Sequence, residues 1–450
     1  MGLRSYLHPL IFTPGFWLLR TLALDTPWAV QLAPRLVQVV LSLAHDAAAN
    51  AFVRTYFPAA LRTPAALVYV ASWFCAFVHT RTFSNSLEAT LYLVALTAWP
   101  ITPAHIGSVA SFREQTRWRL RRAGAVACAG LACVLRPTAA ALVLPVAVWE
   151  LALCCPRAAL AHRLQHAASF VLDGGALAAA FLLVNAAIDR AFYGRWVAPA
   201  WVNLSQNVLQ NVSALYGEHP WHWYASQGVP AMLASLLPLV IFGLWHAAQR
   251  RGVAPLWPAA LAAWGIAVHS AVPHKEFRFV LPSVELLLPY AAVPLLYAFP
   301  GLAGSRSDGD VGAQCGGDRA DCASAADSSA ARDLVRPRRR GRAAGGGTAA
   351  AAETTTTNRH VRGTLPPQLR SNSPPCWARW VVGSLVALQA PVLAYFGLVH
   401  QRGTIAAAEW LAGARFGAVC TSSLAQLPSN VMSYPRRYAL DACSTPYCSW

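Results

Sequence analysis

The run HKEFRF at 274–279 holds the residues of this chain best suited to chemistry. Pro273 precedes the run and fits the first position of a helix, and an apolar stretch follows it. His274 and Arg278 are four positions apart, so on a helix they share a face. Free amides and the helix dipole favour an anion at a helix N-terminus. We therefore predict that His274, Lys275 and Arg278 bind a phosphate at the membrane surface. An interfacial belt of snorkelling charges and aromatic rings is the alternative.

Two further charged positions lie in apolar surroundings. Arg81, Asn85 and Glu88 fall at i, i+4 and i+7, which places them on one helical face. An ionisable group such as Glu88 is costly inside an apolar span and is usually paired or functional. An internal ion pair with Arg81 and a substrate-orienting role both remain open. Arg136, between two short apolar runs, likewise needs a carboxylate partner or an anionic ligand.

An aromatic loop follows at 209–224, and its second half reads YGEHPWHWY. Its rings, with the polar groups of His219 and His222, suit stacking on sugars beside a membrane. Trp221 and Trp223 are the leading candidates, with anchoring at the interface as the alternative. The HxxH spacing is typical of some metal sites, but no third ligand follows it. We expect no metal and no other cofactor.

Apolar segments must position these motifs. The chain is 56% hydrophobic and 12% charged, whereas soluble domains carry about 25% charged residues. An all-α integral membrane protein with about ten spans is predicted, because helices satisfy their own backbone hydrogen bonds in lipid. The predicted spans are 31–50, 64–80, 87–100, 122–135, 139–153, 167–187, 228–248, 254–271, 281–299 and 378–399.

The formal net charge is +17, and the distribution of the arginines along the chain predicts the orientation of these spans. Arginines concentrate in alternate short loops, as the positive-inside rule requires of the cytosolic side. We therefore exclude nucleic acid as a partner and expect the lipid bilayer instead. The arginine-rich set comprises Arg54, Arg62, Arg113, Arg117, Arg119, Arg121, Arg122, Arg157, Arg163, Arg250, Arg251 and the run RPRRRGR at 336–342.

This orientation defines the predicted domains. Residues 1–300 form a multi-span domain whose main luminal loop is 188–227, where the sequons at Asn203 and Asn211 predict glycosylation. Residues 301–376 are rich in Arg, Ala, Gly and Thr and predict a disordered cytosolic insert. A last span at 377–399 and a luminal tail at 400–450 follow.

Several stretches together resemble glycosyltransferase family 22, the dolichyl-phosphate-mannose-dependent mannosyltransferases of the GT-C fold, for which HKEFRF looks like the signature. Within it, the combination is similar to the GPI mannosyltransferase III family. The matching stretches are GLRSYLHP at 2–9, TRTFSNSLE at 80–88, DRAFYGRW at 189–196, LQNVSALYGEHPWHWY at 209–224, HQRGT at 400–404 and CSTPYCS at 443–449.

This resemblance implies an ER membrane enzyme whose active face is luminal. It would transfer the third mannose, in α1,2 linkage and with inversion, from dolichyl-phosphate mannose to the GPI glycolipid precursor. His274, Lys275 and Arg278 would bind the donor phosphate. The substrate would be oriented by Arg81, Asn85, Glu88, Arg136, His219, Trp221, His222 and Trp223. Alternatives are a related mannosyltransferase of lipid-linked N-glycan precursor assembly, a transporter, and a catalytically inactive scaffold.

The resemblance also carries a departure. Family members have a span and an acidic Asp-Glu loop, generally assigned the catalytic base, before the GLRS stretch. This chain begins at Met1-Gly2, directly at that stretch, and ends soon after CSTPYCS. We therefore expect a truncated chain that lacks the base and, as given, activity. The resemblance leaves the base unassigned.

Overall fold

The computed structural model describes residues 4–24, 26–99, 112–153, 160–210, 212–250, 252–303 and 375–396. Within these ranges all regular structure is helical. The α-helices are α1 Leu7–Leu10, α2 Thr13–Thr21, α3 Pro27–Tyr56, α4 Arg62–Ala71, α5 Trp73–His79, α6 Ser84–Ala98, α7 Phe112–Leu135, α8 Ala139–Val148, α9 Leu160–Tyr193, α10 Pro199–Leu204, α11 Val229–Leu233, α12 Leu237–Gln249, α13 Trp257–Ser270, α14 Leu281–Ala298, α15 Cys376–Ala387 and α16 Gln389–Ala394.

Every predicted span falls on a helix, but fewer helices have full span length. Within the described ranges, five helical segments are long and apolar enough to cross a membrane, or six if a pair bent by 64° counts as one span. Helices α6 and α13 have only 15 and 14 residues, so they fall short of the roughly 20 residues needed. The chain is a multi-pass helical membrane protein. The five segments are Pro27–Tyr56, Ala167–Tyr193, Tyr224–Gln249, Phe277–Ala298 and Cys376–Ala394.

Helix α14 lies at the centre of the bundle and is buried over almost its whole length. Two glycines let neighbouring helices approach it closely. A Cβ on Gly243 of α12 would lie 1.9 Å from the carbonyl oxygen of Tyr290, and one on Gly265 of α13 would lie 2.2 Å from Ser283 Oγ. Small residues allow such backbone contact between membrane helices.

Helix α9 differs, because its long apolar face is exposed at Leu172, Leu182 and Leu183. Such a face suits contact with lipid. At the other end of α9, Asp189 is buried and accepts hydrogen bonds from Ser5 Oγ at 3.0 Å and from the Tyr6 backbone N–H at 2.8 Å. Ser5 and Tyr6 are thereby fixed against the C-terminal end of α9.

Arginine-bearing turns predicted to be cytosolic lie together at the opposite end. Arg62 donates to the backbone carbonyl of Arg54 at 3.4 Å. Arg121 donates to the carbonyl of Thr97 at 3.3 Å, and Tyr56 at the end of α3 donates to the carbonyl of Leu96 at 2.6 Å. Two of the turns that charge assigns to the cytosolic side therefore lie at the same end of the bundle, and the full alternation stays a prediction.

Several predictions fall outside the described residues. These are most of the 301–376 insert, the 400–450 tail and the sequon at Asn211. Asn203 lies in the short helix α10, and its glycosylation stays a prediction. The last predicted span, 377–399, corresponds to α15 and α16, which together cover Cys376–Ala394.

Candidate active site

Arg136, just after α7, joins two parts of the site. Its Nε lies 2.7 Å from Glu88 Oε2. Its Nη1 donates to Ser84 Oγ and to Asn85 Oδ1, both at 3.2 Å. Both the guanidinium and the Glu88 carboxylate are buried. The partner that Arg136 needs is thus supplied by the first turns of α6.

Arg81 takes no part in this pair, so the proposed Arg81–Glu88 ion pair is wrong. Helix α6 begins only at Ser84, and Arg81 therefore lies in the preceding turn rather than on the helical face. Its guanidinium stacks on the Phe77 ring at 3.4 Å and donates to the Phe77 carbonyl at 2.6 Å. Asn85 and Glu88 share a face, as predicted, and both contact Arg136.

In the HKEFRF run, Glu276 brings two cations together. Its Oε1 lies 3.1 Å from His274 Nε2, and its Oε2 pairs with Arg278 Nε. The prediction that Pro273 begins a helix is wrong, because Glu276 is extended and a 3-10 turn begins only at Phe277. His274 and Arg278 therefore converge through the carboxylate between them, not through helical spacing.

Electrostatics favour the charged forms of His274 and Glu276. The hydrogen bond that Glu276 accepts from His274 raises the pKa of His274, although burial opposes the shift. Burial also opposes ionisation of Glu276, but the hydrogen bond with His274 and the charge of Arg278 outweigh it and lower the pKa of Glu276. The carboxylate thus holds two cationic side chains in fixed positions.

Lys275 faces away from this trio. Its buried ammonium donates to the carbonyls of His219 at 2.9 Å and Val272 at 2.6 Å. The His219 backbone N–H donates to the Pro273 carbonyl at 3.0 Å. These bonds fasten the aromatic loop to the HKEFRF run. The geometry of Lys275 favours holding this loop, and its contact with phosphate stays a prediction.

The four aromatic-loop candidates separate into two pairs. Trp223 is buried, with its ring 4.5 Å from that of His219 and 4.9 Å from that of Phe277. Trp221 is 75% exposed, and the exposed His222 lies 3.2 Å from Ser226 Oγ. Trp223 therefore supports the loop, whereas the exposed Trp221 ring is free to meet a ligand.

Direct contacts join the separate motifs into one site. Asn85 Nδ2 donates to the Arg278 carbonyl at 3.0 Å. The Arg136 guanidinium lies 5.5 Å from the centre of the Phe279 ring, and that of Arg278 lies 5.1 Å from the Phe83 ring. Residues far apart in sequence thus form one polar cluster at one end of the bundle.

Sequence reasoning missed Arg4, which belongs to this cluster. Partial desolvation and then the charges of Arg136 and Arg278 lower the pKa of Arg4. In the described part of the chain its guanidinium has no hydrogen-bond or ion-pair partner, while its backbone carbonyl accepts from Tyr193 at 2.7 Å. Arg4 lies within the GLRS stretch, so that motif was the available signal. With His274 there are four cationic side chains beside two carboxylates, which favours an anionic ligand.

Comparison with known proteins places this site in a family. The profile of the Alg9-like mannosyltransferase family matches residues 1–432. The chain belongs to the Alg9-like mannosyltransferase family. Its polar cluster therefore lies in a protein of a mannosyltransferase family.

Individual relatives agree with this membership. The chain is 34% identical to Mannosyltransferase APTG1 of Arabidopsis thaliana over 69% of its length and 52% of the relative. It is 32% identical to GPI alpha-1,2-mannosyltransferase 3 of Xenopus laevis, over 64% of this chain and 50% of the relative. It is 31% identical to the Homo sapiens protein of the same name, over 66% of this chain and 49% of that relative. The chain thus spans about half the length of the curated relatives it matches.

Among solved structures, ArnT from Cupriavidus metallidurans bound to undecaprenyl phosphate is similar at a TM-score of 0.42 and 15% identity. The match covers 65% of this chain and 50% of that one.

Proposed function

We propose that this protein transfers the third mannose, in α1,2 linkage, from dolichyl-phosphate mannose to the GPI glycolipid precursor. The reaction would take place at the luminal face of the endoplasmic reticulum membrane, on a GT-C-type bundle. The observation that carries the proposal is the convergence of Arg4, Arg136, His274 and Arg278 at one end of the bundle. The printed names of the relatives support the GPI acceptor.

The cationic cluster suits the leaving group. As the bond between mannose and phosphate breaks, negative charge grows on the departing dolichyl phosphate. Preorganised donors stabilise such charge without a reorganisation cost. Glu88 holds Arg136 and Glu276 holds Arg278, so both guanidinium groups are oriented before substrate arrives. Arg4, which lacks a partner among the described residues, is the cation most available to the phosphate.

The aromatic loop suits the sugar. Trp221 exposes a large flat face, and such rings stack on the apolar faces of hexoses. Lys275 and Tyr224 hold the loop against the HKEFRF run, since the Tyr224 hydroxyl donates to the Glu276 carbonyl at 2.8 Å. A phosphate site and a sugar-stacking platform are thus adjacent, as a sugar-phosphate donor requires.

Editing the chromosomal gene tests the proposal on the protein as the cell makes it. With Arg278→Gln, we expect the two-mannose GPI precursor to accumulate while lipid-linked N-glycan precursors stay normal. The control is Arg62→Gln, which alters an exposed arginine at the opposite end and should leave both pools unchanged. Shortened N-glycan precursors with normal GPI lipids would instead establish the alternative acceptor. No change in either pool would refute a role in mannosyl transfer.

Binding of the departing dolichyl phosphate is tested separately on the purified chain in detergent. Dolichyl phosphate should raise the melting temperature of the wild type and of Arg62→Gln, and Arg4→Gln should lose most of that rise. The loss of one charge-assisted hydrogen bond costs about 1.5–3 kcal/mol, which corresponds to roughly 10- to 150-fold in affinity. An equal rise for Arg4→Gln would remove Arg4 from the phosphate site.

A further inference from the structure

A second polar cluster is buried between the helices and shares no residue with the cationic site. It consists of His45 on α3, His79 on α5 and Glu285 on α14, all buried. His79 Nε2 lies 2.6 Å and His45 Nε2 lies 3.7 Å from the same oxygen, Glu285 Oε1. The two imidazole rings are stacked at 3.5 Å. Three potential ligand atoms from three helices therefore point to one place.

Hydrogen bonding fixes the tautomer of His45. The Thr90 hydroxyl donates to the Ser86 carbonyl at 2.8 Å. Thr90 Oγ1 lies 3.4 Å from His45 Nδ1, and with its own proton engaged it acts there as an acceptor. Nδ1 of a neutral His45 therefore carries the proton, and Nε2 carries the lone pair. That lone pair faces a carboxylate oxygen, so two acceptors confront each other.

The cluster consequently lacks positive charge. His79 donates one hydrogen bond to Glu285 Oε1, but Glu285 Oε2 and His45 Nε2 have no hydrogen-bond partner within the described chain. Buried polar atoms are normally satisfied, and a carboxylate in a membrane interior is costly unless it is paired or binds a metal. His79 Nδ1 likewise has no hydrogen-bond partner among the described residues. A cation between the three residues would accept the lone pair of His45 Nε2 and neutralise the Glu285 carboxylate.

We propose that His45, His79 and Glu285 bind one transition-metal dication, of the Zn²⁺ class, between helices α3, α5 and α14. Two imidazoles and one carboxylate form a donor set that zinc accepts with an open fourth position. On binding, His45 Nε2 and His79 Nε2 give their lone pairs to the metal, and the proton of His79 Nε2 moves to Nδ1.

Surrounding groups favour this site. Thr90 orients His45 in the manner of an outer-shell partner. Gln38 Nε2 donates to the His79 carbonyl at 2.8 Å, and the Tyr69 hydroxyl donates to the Glu285 carbonyl at 2.7 Å, so the ligand backbones are held.

Asp46 supplies further negative charge. It is close enough to act electrostatically on His79 and Glu285, and together with Glu285 it balances a charge of +2.

Zinc content tests the proposal without any activity assay. The full chain is purified in detergent, stripped with a chelator, reloaded with Zn²⁺, desalted and analysed by mass spectrometry. We expect one zinc per wild-type chain, and loss of it in His45→Gln and Glu285→Gln. His246→Gln is the matched control, because His246 is also buried with an unpaired Nδ1 but lies on α12; it should keep the metal.

A second measurement needs no variant and so stands even if the substitutions impair folding. Co²⁺ added to the stripped wild type should give the visible absorption of a low-coordinate His/carboxylate site, and Zn²⁺ should displace it. The chelator should also lower the melting temperature, because the metal binds only the folded state. The proposal is overturned if the wild type holds no more zinc than Glu285→Gln, or if cobalt gives no visible absorption. In that case a proton shared by the three residues supplies the positive charge. Equal loss in His246→Gln would place the metal elsewhere.

Discussion

Replacing Gly243 by alanine should damage the packing of α12 against α14. The new Cβ would lie 1.9 Å from the carbonyl oxygen of Tyr290 and 2.6 Å from its carbonyl carbon. These are backbone atoms of the most buried helix in the bundle, so no side chain can rotate to make room. The two helices must separate by about 1 Å, and a gap of that size forfeits a quarter to a half of the dispersion energy of each affected contact.

The magnitude follows from overpacking. Inserting a methyl group into a close-packed core typically costs about 1–3 kcal/mol. Here the added methyl group meets backbone atoms, which cannot rotate aside as a side chain can. We expect a loss of at least about 3 kcal/mol, which lowers the melting temperature by at least about 5 °C. The measurement is thermal unfolding in one detergent, followed by intrinsic tryptophan fluorescence and by the fraction that stays monodisperse on size exclusion.

Two other glycines calibrate the result. Gly265→Ala would meet Ser283 Oγ at 2.2 Å and Leu142 Cδ2 at 2.8 Å, and because side chains can adjust, its cost should be smaller. Gly175, exposed on α9, has no atom within 4 Å of the position that an added methyl group would occupy, so alanine there should gain up to about 1 kcal/mol of helix propensity. A Gly243→Ala variant as stable as Gly175→Ala would refute the close approach of α12 to α14.

Three further substitutions address the polar site. Lys275→Met should leave two backbone carbonyls unsatisfied, cost about 2–3 kcal/mol and speed chymotrypsin cleavage in the aromatic loop. Glu276→Gln should remove the raised pKa of His274. In the wild type, the raised pKa of His274 adds to the free energy of unfolding. This contribution is fully present below pH 6.5 and is lost as the pH rises through the pKa of His274 in the folded protein. The free energy of unfolding of the variant should therefore depend less on pH above 6.5. Glu88→Gln should leave the buried Arg136 without its carboxylate partner. The free energy of unfolding should fall by about 3–5 kcal/mol, measured by thermal unfolding.

Each of these has a distinguishing outcome. Unchanged cleavage of the loop in Lys275→Met would show that the ammonium does not hold it. A Glu276→Gln variant whose stability declines above pH 6.5 as steeply as that of the wild type would exclude the ion pair with His274. For Glu88, the double variant with Arg136→Gln is the control, since removing both charges should cost less than the sum of the single changes. Additive costs would mean that the two side chains do not interact.

Much of the fold was predictable because hydropathy is a local property. The apolar run over 281–299 predicted α14 almost to the residue, and charge alternation placed Arg54 and Arg62 at the end opposite to HKEFRF. Helix starts were less predictable. Pro273 precedes a run that looks helical, yet Tyr224 bonds to the backbone of Glu276 and holds it extended.

Partner choice was the part that sequence reasoning could not settle. Spacing alone suggested Arg81 for Glu88, but the turn before α6 directs Arg81 onto Phe77, and Arg136 from another helix reaches the carboxylate. Lys275 reads as a phosphate ligand beside His274, yet its ammonium is taken up by carbonyls of a distant loop.

The sequence by itself determined the membrane class, the helical segments, their alternation and the family motifs, because each depends on residue type within a short window. Tertiary structure alone decided which polar side chains meet. Glu88 meets Arg136, and Glu285 meets His45 and His79. His45 is 240 positions before Glu285 in the sequence. The physical reason is that a side chain finds its partner through the rotation and depth at which its helix packs, and the contacts that set these come from the whole bundle.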